Sequence, residues 1–396
     1  MSSLLCLFVI IGLSTLQLTP SKVESLITST PQNKVSFYEY RLQKNMFHRS
    51  AIAWFFTPEL SYTKNKLNEQ NALYSEGLSF NVSIFSPQRL SSLSESYFAL
   101  RQNAISRKIE RNSVFISVIE DLFDYEYTRQ KLAYDSLNVK YAEKMLELSR
   151  ERLSLGLSDS LDFLRAFDNL SNIKLSLFED SVNLTVLKEK IKDFLGIQDN
   201  FTVVLDSFIP PDIDSLSPLE SKNVLLNVEL KKSALTGTYL ALLSILPEVG
   251  FKYSWDYTGD IFQSNLDEFE YTKAFKVYLF INPLNVVFNI NDALLRYKKA
   301  QWNLRKTIIQ EKQKFREYSK MLHILNKRRE VLENRAIIKE RSFALALEKY
   351  SEGEISFQDV LKEQADYMAL ISEYLKVKLD IIKLRYNMWY NFGGSR

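Results

Sequence analysis

Two aspartates are the residues best placed to do chemistry in this chain. Asp162 and Asp359 each stand six residues beyond a lone glycine, Gly156 and Gly353. A carboxylate just inside the start of a helix faces unpaired backbone N–H groups and the positive end of the helix dipole. Neither aspartate has a catalytic partner in its local sequence. No glycine-rich phosphate loop and no G-x-S-x-G elbow occurs. His48 and His323 are the only histidines and Cys6 the only cysteine, at no metal-ligand spacing. The N-x-S/T triplets at Asn169 and Asn183 fall within predicted helix. The residues therefore argue against an enzyme and for no cofactor and no metal. Energy for any transport would come from a partner.

Composition narrows the class further. The 396 residues carry 51 Lys and Arg against 48 Asp and Glu, a balance that gives no case for nucleic acid. Gly (10) and Pro (9) are scarce, so each one marks a boundary. Near the N-terminus "LLCLFVIIGL", Leu4 to Leu13, is too short to cross a bilayer as a helix and reads as a secretory leader within residues 1–23, or as an anchor. Removal of that leader would leave a chain without a thiol. Elsewhere no apolar run is long enough for a membrane helix, so a membrane crossing would require strands.

The elements that position the aspartates occur twice. Gln88 to Leu155 holds 68 residues without Gly or Pro, and Leu284 to Glu352 holds 69. As single helices each would be about 100 Å long. Each ends at its glycine, and 39 further residues without Gly or Pro follow, up to Gly196 or Gly393. The two copies are offset by 197 residues, which places Asp162 on Asp359 and Leu164 on Leu361. Heptad rows follow the glycines: Phe163, Leu170, Leu177, Leu184 and Ile191 in one copy, then Val360, Tyr367, Tyr374, Ile381 and Met388 in the other. Such rows predict antiparallel coiled-coil hairpins. Asp180, Glu363 and Asn391 interrupt the rows or their companions.

Strand signals precede each long helix. In "PEVGFKYSWDYTGD", Val249, Phe251, Tyr253, Trp255 and Tyr257 alternate with Gly250, Lys252, Ser254 and Asp256. Period two predicts a strand with an aromatic face. Nine to eleven tilted residues span the apolar layer of a bilayer, so this face suits lipid, with the opposite face in water. A soluble sheet covered by helices is the competing arrangement. The predicted organisation is a first repeat over 35–197, with a lead-in helix, a strand pair at 52–67 and 77–87, and a helical hairpin at 88–195. A linker over 198–223 joins it to a second repeat over 224–394, with a lead-in helix, strands at 247–258 and 272–283, and a hairpin at 284–392.

The duplicated segments "LSLGLSDSLDFLRAFDNLSNIKLSLFED" and "YSEGEISFQDVLKEQADYMALISEYLKVKLDIIKLRYNMWYNFG", with "LPEV" and "INPL" at strand ends, resemble TolC-like outer membrane efflux proteins over residues 35–394. The resemblance implies a mixed α and β fold. Helical hairpins form an α-barrel tunnel in the periplasm, and four strands per chain contribute to a 12-stranded barrel in outer membrane lipid. It implies a homotrimer, the exit duct of a tripartite efflux or type I secretion system for drugs, small molecules or proteins. Its partners would be a periplasmic adaptor and an inner membrane pump of the RND or ABC type. The residues agree in one respect: four strands cannot close a barrel alone, and three chains supply 3 × 4 = 12. A periplasmic adaptor or a surface scaffold without a pore is the alternative. Two hairpins, each behind a membrane-length strand pair, argue against it.

Several sites follow from the resemblance. The turns at Leu155, Gly156 and Leu157 and at Glu352, Gly353 and Glu354 match adaptor contacts, although the family's second turn is more neutral. Asp359 matches an aspartate lining the closed aperture, where three copies would form an acidic ring. Lys362 stands where the best-known members have another acid. Tyr350 and Asp162 match a tyrosine and an aspartate whose hydrogen bond holds the entrance shut, and Ile355 replaces an arginine of that lock. Both aspartates also fit a plain role at the start of a helix.

Overall fold

A computed structural model describes residues 16–55, 58–68, 73–156, 159–204, 208, 212–213, 215–246, 248–259, 270–278 and 283–393. The order of elements is β1 (Leu16–Leu18), α1 (Pro20–Ile27), α2 (Pro31–Phe55), β2 (Pro58–Asn68), β3 (Leu73–Phe85), α3 (Pro87–Ser154), α4 (Ser160–Leu195) and β4 (Phe201–Val203). A 3-10 turn (Pro218–Glu220) precedes α5 (Lys222–Leu243), β5 (Glu248–Gly259), β6 (Glu270–Tyr278), α6 (Pro283–Glu352) and α7 (Phe357–Phe392). Prolines open α1, α2, α3 and α6, where the missing N–H costs no helical bond. Gly156 and Gly353 follow α3 and α6 with φ of 68° and 85°, a left-handed conformation that a side chain disfavours. The fold is therefore mostly helical, with few strands.

The chain divides into two units. One comprises Met1–Lys34, Glu110–Glu220 and Lys312–Arg396. In it, β1 pairs in parallel with β4, Leu16 opposite Phe201. Leu18, Val23, Phe115, Ile119, Phe123, Ile191, Leu195, Phe201 and Phe208 form a buried cluster with Tyr386. The Tyr390 hydroxyl donates to Glu24 at 2.9 Å, tying α7 to α1. A second cluster joins Leu322, Leu325 and Leu332 of α6 to Leu370, Val377, Ile381, Leu384, Met388 and Phe392 of α7. A third lies at the turns: Met145, Ala166, Phe343, Ala346, Tyr350, Phe357 and Val360.

Polar contacts order the four long segments of this unit. Arg328 pairs with Glu373 at 2.6 Å, and Lys339 with Glu363 at 3.1 Å, between α6 and α7. Lys383 pairs with Asp124, and Asn112 donates to the Tyr390 carbonyl at 2.7 Å, between α7 and α3. Lys190 pairs with Asp121 and Lys131 with Asp180, each at 2.6 Å, between α4 and α3. The order is thus α6–α7–α3–α4. Each interruption of a heptad row has a partner: Asp180 has Lys131, Glu363 has Lys339 and Ser342, and Asn391 donates to the Asn387 carbonyl.

The other unit comprises Val35–Ile109 and Ser221–Glu311. It contains a four-stranded antiparallel sheet in the order β2–β3–β5–β6. Beside it, α2 stacks on α3: the guanidinium groups of Arg41 and Arg107 lie 4.8 and 4.9 Å from the Phe37 ring. Buried Glu229 pairs with Arg101 at 3.3 Å and Lys232 at 3.0 Å.

Four boundaries differ from the sequence reading. Residues 52–55, expected in a strand, continue α2, because no Gly or Pro separates Pro31 from Pro58. The strands of β3 and β6 begin earlier than 77 and 272, at Leu73 and Glu270, where their neighbours pair with them. Residues 16–23, placed in the leader, form β1 and α1 with Leu18 and Val23 fully buried. The linker over 198–223 is part of the core at Phe201 and Phe208. Residues 1–15, 56–57, 247 and 279–282 of the expected leader and strands lie outside the described residues, as does Leu157.

Candidate functional site

Two places answer to the sequence expectations: the helical turns and the sheet. At the second turn, the Gly353 N–H donates to the Tyr350 carbonyl at 3.1 Å and the Glu354 N–H to the Lys349 carbonyl at 2.9 Å, which closes α6. At the first, the Gly156 N–H donates to the Leu153 carbonyl at 3.1 Å, and Leu155 is 71% exposed. Glu352, Gly353 and Glu354 are exposed as well.

The two turns are joined by a residue that the sequence did not single out. Arg152, in the last turn of α3, donates through Nη1 to the Tyr350 carbonyl. Its guanidinium sits 4.9 Å from the centre of the Tyr350 ring. A methyl group added at Gly353 would lie 3.4 Å from Arg152 Nη2, so the glycine also makes room for this arginine. A basic residue in the last turn of a helix was the available signal.

Tyr350 itself is buried, its ring 5.6 Å from that of Phe357. The expected hydrogen bond to Asp162 is not formed: the Tyr350 hydroxyl is buried with no hydrogen-bond partner among the described residues. Burial pushes the hydroxyl pKa up, with Arg152 opposing and the charge of Asp162 adding to the shift. Asp162 instead pairs with Arg165, one turn along α4, at 3.6 Å. That i, i+3 neighbour is closer at hand than a ring packed into the third cluster.

Asp359 sits at the third position of α7 in a capping box. The Ser356 side chain accepts from the Asp359 N–H at 3.3 Å, and Asp359 Oδ2 accepts from the Ser356 N–H at 3.2 Å and its Oγ at 2.6 Å. The bonds from Ser356, and then the charge of Lys362, hold this carboxyl below the ordinary carboxylate range. Asp159 and Asp162 occupy the same two positions at α4, without a side-chain cap bond from Asp159. Ile355 is half-buried against the third cluster.

Register sorts the sheet into two faces. One carries the rows Pro58–Val82–Phe251–Phe275, Leu60–Phe80–Tyr253–Lys273 and Tyr62–Leu78–Trp255–Tyr271, with Phe85–Val249–Val277 at one end and Tyr257 opposite Glu76 at the other. Leu60 and Tyr62 are 71% and 60% exposed, and Phe251 is exposed too. The opposite face carries Ser61–Ser79–Ser254–Thr272 as a hydroxyl row, flanked by Glu59–Asn81–Lys252–Ala274 and Thr63–Gly77–Asp256–Glu270. Ser61 and Ser79 share a hydrogen bond of 2.7 Å across the strands. An aromatic, solvent-exposed face backed by a row of hydroxyls is the reverse of a soluble sheet. Both edge strands, β2 and β6, pair on one side only among the described residues.

The outermost helices of the α6–α7–α3–α4 order also carry exposed apolar stripes. On α6, Ile324, Val331, Ile338 and Leu345 recur every seven residues, with Lys320, Lys327 and Arg341 alongside. On α4, Leu164, Leu175, Phe178, Val182 and Val186 form a stripe beside Asp168, Glu179 and Glu189. Among the described residues no helix is long and apolar enough to cross a membrane, and no cluster of His, Cys, Asp and Glu could hold a metal ion.

Helical hairpins in duplicate and an open four-stranded sheet together define the TolC-like fold of outer membrane channels. Three solved structures show the likeness. CusC, whose crystal structures describe folding and transmembrane channel formation, has a TM-score of 0.84 at 13% identity, covering 98% of this chain and 96% of that one. The outer membrane protein VceC of Vibrio cholerae has a TM-score of 0.80 at 14% identity, covering 95% and 96%. The CmeC outer membrane channel of Campylobacter jejuni has a TM-score of 0.76 at 14% identity, covering 95% and 85%. No protein-family model and no curated protein matches the sequence.

Proposed function

We propose that this protein is an outer membrane exit duct, a passive channel assembled from three copies. The observation that carries the reading is the sheet. Its exposed face is aromatic, its other face is hydroxylic and charged, and both of its edges are unpaired. Open edges are not viable in lipid, so each β2 must meet the β6 of another copy. Three chains give 12 strands, enough for a ring with a polar interior.

The helices support the same assembly. In a closed ring the free flank of α4 meets the free flank of α6 in the next copy. One flank is apolar with acidic neighbours, and the other is apolar with basic neighbours, so the two suit each other. The helical hairpins would then form a tunnel in the periplasm. The turns around Gly156 and Gly353 would meet an adaptor fed by an inner membrane pump, which supplies the energy for efflux or secretion. At the aperture Arg152 latches one turn to the other, beside Asp162, Asp359 and Lys362. Efflux is the role most in keeping with the channel fold. A scaffold or adaptor without a pore leaves the aromatic face and both open edges unexplained.

Native mass spectrometry of the detergent-solubilised protein tests the assembly. Three chains are expected. A stable monomer or dimer with full strand content overturns the reading.

A further inference from the structure

The contact between α3 and α4 is built around one ammonium and two carboxylates. Asp180 occupies a heptad position of α4 in line with Ala166, Ile173, Leu187 and Phe194, where an apolar side chain would pack. Its side chain is 13% exposed, and that of Asp135 on α3 is 16% exposed. Lys131 Nζ lies 2.6 Å from Asp180 and 4.0 Å from Asp135, so the ammonium is committed to one partner. Asp135 Oδ2 is buried without a hydrogen-bond partner. With both carboxyls ionised, the seam holds a net negative charge that nothing nearby neutralises, a costly arrangement away from water. A proton on Asp135 removes that charge and supplies a donor toward Asp180.

We propose that Asp135 and Asp180, with Lys131, form a proton-binding site that clamps α3 to α4, closing as the surroundings turn mildly acidic. The proton comes from solvent and rests on the Asp135 carboxyl. The net charge of the three groups rises from −1 to 0, and no other bond changes. A cavity of about 250 Å³ beside the site, lined by Lys131, Tyr134, Asp135, Ile371, Ser372 and Leu375 among others, gives the proton a route. The surrounding groups do not replace it. On α3 the Tyr127 hydroxyl is engaged with Ser372 at 2.6 Å, and Tyr134 is the remaining titratable side chain at the cavity. What α7 presents there is not titratable. On α4, Lys174 is paired with Glu143 of α3 at 3.0 Å.

The electrostatics agree with the geometry. Burial, followed by the hydrogen bond and charge of Asp180, pushes the Asp135 carboxyl up to about 6, against the pull of Lys131. Burial works against the Lys131 ammonium as well, yet its bond to Asp180 and the two negative charges leave its pKa raised. A carboxyl held above its unfolded value favours the folded contact at low pH. The clamp is therefore complete below the ordinary carboxylate range and is lost as pH rises through about 6. It sits 21 residues before Gly156 and 24 after it, about 30 Å along each helix, so it governs how firmly the hairpin holds its turn.

Infrared difference titration of the full chain in detergent, from about pH 4.5 to 7.5, reads the proton directly. The protonated-carboxyl signal of the wild type should vanish with a midpoint near 6 and be missing in that window from Asp135→Asn and Asp180→Asn. In Asp180→Asn, Lys131 is free to hold Asp135 ionised. Hydrogen exchange of the α3–α4 peptides, corrected for intrinsic rates, should quicken with rising pH by up to about tenfold per unit in the wild type, and stay flat in Asp135→Asn. A wild type without a carboxyl titrating near 6 overturns the proposal. So does a titration that survives in either variant.

Discussion

Arg152→Met removes the link between the two helical turns while keeping most of the apolar stem. Two contacts disappear: the bond from the guanidinium to the Tyr350 carbonyl, and its stacking on the Tyr350 ring. A hydrogen bond from a charged donor contributes about 1.5–3 kcal/mol, and a half-exposed cation–π contact about 0.5–1 kcal/mol. Water competes for a partly exposed arginine, so the lower end applies, about 2 kcal/mol per chain. That is about a 30-fold shift in an open-to-closed equilibrium. Tyr350→Phe is the discriminating control. It keeps both the carbonyl and the ring, and deletes a buried hydroxyl that has no partner. Single-channel recording should show Arg152→Met opening far more often than wild type and Tyr350→Phe no more often. If Tyr350→Phe opens as readily as Arg152→Met, the hydroxyl is the lock after all and the reasoning from Arg152 fails.

On the sheet, Trp255→Arg or Phe251→Arg should impair membrane insertion by about 2–4 kcal/mol near the bilayer midplane, while Lys252→Glu on the opposite face stays mild; equal tolerance in membrane fractionation would contradict the assigned faces. Val331→Asp with Ile338→Asp, both exposed in the single chain, should leave monomer stability within about 0.5 kcal/mol but abolish the trimer seen by native mass spectrometry. Asp359→Asn should remove an acid-sensitive contribution to the start of α7. Because the Asp359 carboxyl is held below its ordinary value of 3.8, that contribution is full above the ordinary range and fades only as pH falls beneath it. An unchanged reversal potential in a salt gradient would then mark Asp359 as a helix-start residue, and a shifted one as part of a selective ring. Phe392→Ala, at a fully buried ring between α6 and α7, should cost about 3–5 kcal/mol in thermal or denaturant unfolding.

Punctuation and period made much of this molecule readable in advance. With so few glycines and prolines, Pro87, Gly156, Pro283 and Gly353 bracket the long helices, and alternation over Val249 to Tyr257 orders the faces of β5. What local pattern could not reveal is long-range. Leu18 and Val23 look like the tail of a leader until β1 meets β4, more than 180 residues away. Phe201 and Phe208 look like linker until the same cluster buries them. At the turns, Tyr350 and Asp162 were paired by resemblance, but the contact that forms runs from Arg152 across 198 residues. The mark at Asp180 was visible as a broken heptad; its partners on α3 were not.

Ionic conductance of the purified protein in a planar lipid bilayer tests the central claim most directly. The account predicts discrete, long-lived channel currents carried only by the assembled trimer, and more frequent opening in Arg152→Met. Folded trimer that inserts into the bilayer and passes no current, in the wild type and in Arg152→Met alike, would contradict it.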